Sequence, residues 1–505
     1  MVAGLETRPN NPQPSKPSST NFCSKTDNYS ACRQRYYAAY LDLLVDRHTA
    51  EGAKGYDRMA FGASDRSLIP TLDLADNLAK DQLNPLVDPL SNRSGQELID
   101  RLQQQVLDKD TLLLEYSLAN PTSYLWVVSQ NQIQTLTLPA ADDINRVAQE
   151  FYGLLTSPSG RVRPQTTARV GRQLRHLILD PVGSQLQGKR LLVVADGMLQ
   201  SIPFGALPSP RSDYRSPPVS GQGEFAAWME PLLVDQEIIH LPSASKLLEI
   251  RSRQAQKPAA TKELMVFADP VFHPQDERYL NSSQAEALEP GSTGIDLLDK
   301  LPEDLKIIYP RLPETQAEAE AISRWVAPDR RRIYQGFAAT HQTALSPELG
   351  QYRIIHFATH GIFNQQSPVR SGVVLSAIDE AGQPQRGLVS PLDSRQLHLA
   401  AADLVVLSGC RTGLKDSAKE AIPGLIGNLM AAGSDRVVAS LWSVRSKPTQ
   451  ELMSRFYQRM FDPTHPEYSR SPAQALRAAQ LSMWQDPRWQ TPYYWAAFMF
   501  QGEWR

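Results

Sequence analysis

Cysteine is scarce in this chain: three residues in 505, Cys23, Cys32 and Cys410, with no C-x-x-C pair. That excludes a disulfide framework and the usual structural zinc pattern, and no metal or organic cofactor is expected. No apolar run reaches 18 residues, and the opening MVAGLETRPNNPQPSKPSST lacks the apolar stretch of a signal peptide. The expectation is therefore a cytoplasmic protein with no membrane association. Nor is there an excess of charge of one sign. Lys+Arg total 52 against 54 Asp+Glu, a formal net charge of −2, so direct nucleic-acid binding through phosphates is not expected. What is present, 41% hydrophobic and 21% charged residues, is the balance of a folded chain, and 505 residues exceed one ordinary core.

The chain reads in four parts. Residues 1–30, with prolines at 9, 12, 14 and 17, predict a disordered arm. Cys23 and Cys32 lie in or beside it with no His nearby and read as incidental thiols. Residues 31–94 predict helices: Tyr37, Tyr40, Leu41, Leu44 and His48 recur at helical spacing, and Leu68, Leu72, Ala75 and Leu78 form a second stripe. No complete 34-residue helical repeat is found there. Residues 95–260 open with three β-rich runs between Asp110 and Leu138. They continue with an apolar strand over 190–195 that ends at Asp196-Gly197, and an apolar run from Leu232 to Leu241 that ends at Pro242-Ser243. Residues 261–505 alternate short apolar strands with helices. The strands are Leu264–Ala268, Arg332–Tyr334, Arg353–Ala358, Val373–Leu375, Leu404–Ser408 and Val437–Leu441. Helical patterns cover Glu314–Val326, Ala338–Leu345, Pro423–Ala432, Pro448–Phe461 and Pro472–Trp484. Such alternation predicts an α/β fold with a mostly parallel sheet covered by helices, binding ligands beyond the carboxyl ends of its strands.

Two reactive residues stand just past such ends. Arg353–Ala358 runs into Thr359-His360-Gly361, and Leu404–Ser408 runs into Gly409-Cys410-Arg411-Thr412-Gly413. On one rim of a parallel sheet, an imidazole can favour the thiolate of a neighbouring cysteine and later protonate a leaving amine. Adjacent glycines let a substrate backbone approach and leave peptide N–H groups to hold an oxyanion. Singly, each residue reads as a packed side chain; as a pair at two strand ends, they read as a site. Their separation of 50 residues is that of caspases, and Gly-Cys-Arg-Thr-Gly is a loose cousin of the caspase signature. His356, inside the first strand, reads as a packed histidine. Met430, Met453, Phe456 and Met460 read as core.

The C-terminal part resembles a CHAT domain, the caspase-like module found beside tetratricopeptide repeats. The resemblance is carried, in order, by Leu192-Val-Val-Ala-Asp-Gly197, Ile202-Pro-Phe-Gly-Ala-Leu207, Leu241-Pro-Ser-Ala-Ser245, Phe267-Ala-Asp-Pro270, and Leu312-Pro-Glu-Thr315 with Glu318-Ala-Glu-Ala-Ile322. The His360 and Cys410 motifs follow, then Val438-Ala-Ser-Leu-Trp442 and Tyr493-Tyr-Trp-Ala-Ala-Phe498. The stretch with Tyr40-Leu-Asp-Leu-Leu44, Gly55-Tyr56 and Ala63-Ser-Asp-Arg66 resembles the linker that joins repeats to this domain. The resemblance implies clan CD cysteine peptidase ancestry shared with caspases and separase, a His360–Cys410 dyad, and an oxyanion hole from the Gly361 and Cys410 amides. Where family members commonly carry Ala before the cysteine and an acid after it, this chain has Gly409 and Arg411. The usual downstream Gly-Glu-Gly is Lys419-Glu420-Ala421.

The expectation is a cysteine endopeptidase with a protein substrate and an activating or regulatory protein partner. Residues 95–260 form a protease-like half without the dyad and 261–505 the catalytic half. Ser408, Arg411, Asp416 and Glu420 are candidates for a specificity or activation loop. Relatives that cut after Arg or Lys have a carboxylate at the position of Ser408, so no strict basic preference is expected. Alanine at His360 or Cys410 is expected to leave the protein folded, each site lying past its strand. The alternative is a non-catalytic platform that only docks partners.

Overall fold

In the computed structural model the described residues are 29–52, 54–68, 92–157, 163–211, 225, 228–280, 309–362, 371–393, 396–409, 421–442, 444 and 446–505. The expected arm over 1–30 lies almost wholly outside them.

Three helices come first: α1 (Tyr29–Glu51), α2 (Tyr56–Leu68) and α3 (Asn92–Gln105). Helices α2 and α3 cross where Gly62 meets Gly95; a Cβ on Gly62 would stand 2.7 Å from the Gly95 Cα, so only glycine admits this approach. Phe61 of α2 then reaches Trp126 of the sheet, ring to ring at 6.4 Å. The stripe expected at Leu72, Ala75 and Leu78 lies outside the described residues.

The strands are β1 (Thr111–Ser117), β2 (Ser123–Val128), β3 (Ile133–Leu138), β4 (Arg190–Val194), β5 (Ile238–Leu241), β6 (Lys262–Pro270), β7 (Arg331–Gly336), β8 (Tyr352–Ala358), β9 (Gly361–Ile362), β10 (Gly372–Val374), β11 (Leu388–Val389), β12 (Leu404–Ser408), β13 (Arg436–Ser440) and β14 (Phe498–Gly502). Eleven of them join one sheet in the order β3-β2-β1-β4-β5-β14-β13-β12-β8-β6-β7. Pairing is parallel except at β3–β2, β2–β1 and β14–β13. The fold is thus α/β, with a large mostly parallel sheet flanked by helices.

The sheet runs unbroken across residue 260, because β14, last in sequence, inserts between β5 and β13. β14 is parallel to β5 and antiparallel to β13, so the two parallel blocks point in opposite directions. Adjacent β4 and β5 end in Asp196-Gly197 and Pro242-Ser243, as adjacent β8 and β12 lead into His360-Gly361 and Gly409, but on the opposite rim of the sheet.

The other long helices are α4 (Ala141–Thr156), α5 (Pro164–Ile178), α6 (Ala244–Gln254), α7 (Glu314–Ser323), α8 (Ala421–Ala431), α9 (Ser446–Phe461) and α10 (Pro472–Trp484). Their ends follow local chemistry. Ser471 Oγ accepts the Gln474 N–H at 3.4 Å ahead of Pro472, and Ser243 Oγ accepts the Lys246 N–H at 3.2 Å. Past α8, Gly433 takes φ +126°, which stops the helix. Alternation along β8 assigns the layers. His356 meets α7 and α9, whereas Phe357 faces the opposite side, where Leu425 and Leu429 of α8 lie. Met430, Met453, Phe456 and Met460 are fully buried.

Three readings of local structure differ. Leu232–Val234 is a short 3-10 turn rather than the start of a strand; only Ile238–Leu241 pairs. The helix expected over Ala338–Leu345 is a single turn, His341–Ala344. The sequence predicts Val373–Leu375 among the strands of the parallel sheet. Instead β10 belongs to a separate antiparallel sheet, β11-β10-β9, because a three-residue apolar run carries no information on its partner.

Candidate functional site

The strand pair β8–β12 fixes the site's frame. Ala358 pairs with Ser408, and the Thr359 N–H donates to the Ser408 carbonyl at 3.1 Å, one step past the ladder. Gly409 follows with φ +101°, and a Cβ there would stand 2.9 Å from the Thr359 carbonyl oxygen. On the other side, Thr359 Oγ1 donates to the Val374 carbonyl at 2.6 Å and the Val374 N–H donates to the His360 carbonyl at 2.8 Å. The backbone of residues 359–360 is thereby pinned between β12 and β10.

His360 is 1% exposed. Its ring packs against both Phe272 (centroids 5.1 Å apart) and Tyr309 (5.4 Å), which also touch each other at 6.1 Å, beside an apolar cluster that includes Val374, Ala377 and Leu388. Nε2 lies 2.8 Å from the carbonyl oxygen of Pro310. A carbonyl only accepts, so Nε2 carries the proton, and in the neutral ring the lone pair sits on Nδ1. Although it lies past its strand, His360 is buried, so its ring fills packed space and its truncation carries a cost in stability.

Gly361 is buried at the start of β9, in register with Val373 of β10. Ser408 is 1% exposed at the end of β12. Cys410, Arg411, Asp416 and Glu420 lie outside the described residues. Among the described residues no group of three or more His, Cys, Asp or Glu side chains is placed to hold a metal ion, and no helix is long and apolar enough to cross a membrane.

His356, four residues before His360, occupies a different environment. Burial and the neighbouring Glu318 charge push the Tyr457 hydroxyl well above its ordinary range, so it stays protonated. It donates to His356 Nδ1 at 2.9 Å, and Nε2–H donates to Glu318 at 2.9 Å. The chain Tyr457–His356–Glu318 ties α9, β8 and α7 together behind the sheet.

Sequence reasoning overlooked Phe272, Tyr309 and Pro310 as neighbours of His360. Phe272 lies just past the Phe267-Ala-Asp-Pro270 motif, and Tyr309-Pro310 just before Leu312-Pro-Glu-Thr315, so the motifs marked the places without revealing their convergence.

Two solved structures share this overall fold. Two crystal structures of the Saccharomyces cerevisiae separase–securin complex, at 3.0 and 2.6 Å, match with TM-scores of 0.52 and 0.51 at 9% and 11% identity. They cover 94% and 93% of this chain but only 36% and 35% of the separase chain, so the chain spans about a third of its length. The Arg-specific cysteine proteinase gingipain R matches with a TM-score of 0.35 at 11% identity over 67% of both chains. No curated protein matches. The CHAT domain family model matches residues 168–503, which contain the β8 and β12 strand ends and His360. The chain belongs to the CHAT domain family, and its fold is similar to that of separase.

Proposed function

We propose that the protein is a cysteine endopeptidase acting on a protein substrate through His360 and Cys410. The observation that carries the reading is the His360 Nε2–H donated to the Pro310 carbonyl. It leaves the basic lone pair on Nδ1, and the residue before Cys410, Gly409, touches the residue before His360. In this reading Nδ1 takes the proton of the Cys410 thiol, and the thiolate attacks the scissile carbonyl carbon. The Gly361 and Cys410 N–H groups hold the resulting oxyanion. The imidazolium then gives its proton to the leaving amine, and water, deprotonated by the same base, releases the acyl group and restores the thiol. Neither metal nor organic cofactor takes part.

Ser408, Arg411, Asp416 and Glu420 are assigned to specificity or activation. A neutral Ser408 argues against a strict basic preference before the cut, since an unpaired buried guanidinium costs about 3–5 kcal/mol. A protein partner that releases low basal activity is part of the proposal, as is a cytoplasmic location. The likeness to a separase seen bound to securin supports partner control. The domain reading stands with it: a dyad-free half over 95–260 and a catalytic half over 261–505, preceded by the helical segment.

The deciding experiment compares newly formed protein N-termini in cells carrying the parent or Cys410→Ala. New termini that need Cys410 support the peptidase. Their absence, together with failure of an electrophilic peptide to modify Cys410 in cell extract, favours the docking platform.

A further inference from the structure

The Pro310 carbonyl that holds His360 belongs to the peptide unit joining Pro310 to Arg311. The Arg311 side chain runs back to Asp269, at the end of β6. Its Nε lies 3.1 Å from Oδ1 and 3.3 Å from Oδ2, and Nη2 lies 2.8 Å from Oδ2, a two-pronged pairing. Nη1 bonds Glu277. Asp269 is 3% exposed and has a left-handed backbone, φ 44°, at a bulge in the β6–β7 register. A non-glycine residue holds that conformation only where surrounding contacts offset its strain. Those contacts are present. Thr315 Oγ1 accepts the Asp269 N–H at 2.9 Å, and Arg278 Nη1 donates to the Asp269 carbonyl at 2.6 Å and lies 2.9 Å from Oδ2. Arg278 is itself oriented by Asp276, at 2.8 and 2.6 Å.

One carboxylate thus ties together both walls around the imidazole. Arg311 anchors the segment bearing Tyr309 and Pro310, and the strained turn at Asp269 leads directly to Phe272. The Asp269 carboxylate is 4% exposed and the Arg311 side chain 25%, so the fork is largely withdrawn from water and its geometry is held by both partners.

We propose that Asp269 and Arg311 are positioning residues for the candidate base: their forked pairing fixes the Pro310–Arg311 peptide plane so that its carbonyl receives the Nε2–H of His360. The catalytic consequence rests on the His360–Cys410 reading, whereas the clamp on His360 does not. With the guanidinium removed, the peptide plane is free to turn and Nε2 loses its fixed acceptor. The neutral ring then divides between its two tautomers, and the fraction with its lone pair on Nδ1 falls. Neither residue touches substrate in this reading, so KM is unaffected and the loss is in kcat.

The test uses the full chain with nitrogen-15 histidine, His360 being assigned through His360→Gln. Two-bond nitrogen–proton correlation spectra report the tautomer, and iodoacetamide alkylation of Cys410 against pH reports the thiol. In the parent, neutral His360 is expected wholly as Nε2–H. In Arg311→Gln a tautomer mixture is expected, with Cys410 alkylation near neutral pH slowed about 10–100-fold, as for a misplaced catalytic group. Arg311→Lys keeps the charge but not the fork and should fall between the two. A folded Arg311→Gln with the parent's tautomer and the parent's alkylation profile overturns the proposal. If that variant does not fold, Asp269→Asn is read the same way: a mixture supports the clamp, and an unchanged tautomer overturns it. Failure of the dyad is recognised separately, by substrate cleavage surviving Cys410→Ala, and leaves the spectra to decide the clamp.

Discussion

Thr359 and Gly409 meet backbone to backbone across β8 and β12, with the Cβ position of Gly409 only 2.9 Å from the Thr359 carbonyl oxygen. Any side chain at 409 must push the two strand ends apart. It must also accept φ +101°, which L-residues rarely adopt. Gly409→Ala is expected to lower stability by about 1–3 kcal/mol and to slow alkylation of Cys410. Parent-like melting and alkylation would show that this strand end does not require glycine.

Cys410→Ala and His360→Ala are each expected to abolish cleavage of a verified substrate, and the double variant should lose no more than either single one, because the pair acts as a unit. The two should differ in stability. His360→Ala removes a ring packed against Phe272 and Tyr309, a loss of about 1–3 kcal/mol on the scale of other buried truncations. Urea unfolding beside activity separates the two effects, and full cleavage by Cys410→Ala would end the peptidase reading.

The preference at the residue before the cut should show no dominance of Arg or Lys, since in the proposed specificity role Ser408 offers a neutral hydroxyl, which cannot pair with a buried guanidinium. A peptide-library profile made up mainly of Arg and Lys would refute this and shift the assignment to Asp416 or Glu420.

The buried chain Tyr457–His356–Glu318 should behave as a unit. Tyr457→Phe, which leaves His356 Nδ1 without its donor, is expected to cost about 1 kcal/mol, and Glu318→Ala about 1–3 kcal/mol. Combined, the two losses should not add, since both partners meet the same ring. Additive losses in urea titrations of the single and double variants would argue that the contacts are independent.

His240, on β5 against Phe204, gives a pH signature. Burial pushes its imidazole down to about 4. An unfolded histidine takes up its proton near pH 6.5, so between pH 6.5 and 4 the unfolded chain binds more protons than the folded one. The stability from a neutral His240 is complete above pH 6.5 and declines as the pH falls through that window, by about 3 kcal/mol in all. Urea unfolding at pH 7 and pH 4.5 should show a smaller drop for His240→Gln than for the parent. Equal drops would place the pH dependence elsewhere.

Much of this architecture is legible in the sequence because its signals are local. The short, mostly apolar runs at 190–194, 353–358 and 404–408, bounded by turn residues, read as strands buried on both faces. Ser471-Pro472 and Gly433 mark helix ends through backbone chemistry confined to a few residues. The reactive types at 360 and 410 stand beside glycines just past two such strands. These features need no knowledge of what lies far away in the chain.

Tertiary structure alone decided the rest, and the reason is sequence distance. That Phe498–Gly502 would enter the middle of the sheet and join β5 to β13 depends on pairing strands hundreds of residues apart, which no periodicity records. Val373–Leu375 has the composition of its neighbours yet pairs in a second sheet, since partner choice is set by what surrounds a strand. His356 and His360 are four residues apart in sequence. One ends among Glu318 and Tyr457 and the other beneath Pro310, because the chain leaves the pleat after Ala358. The orientation of the candidate base, from Pro310 through Arg311 to Asp269, joins segments separated by about 40 to 90 residues. The sequence chose the imidazole, and long-range packing chose which of its nitrogens holds the proton.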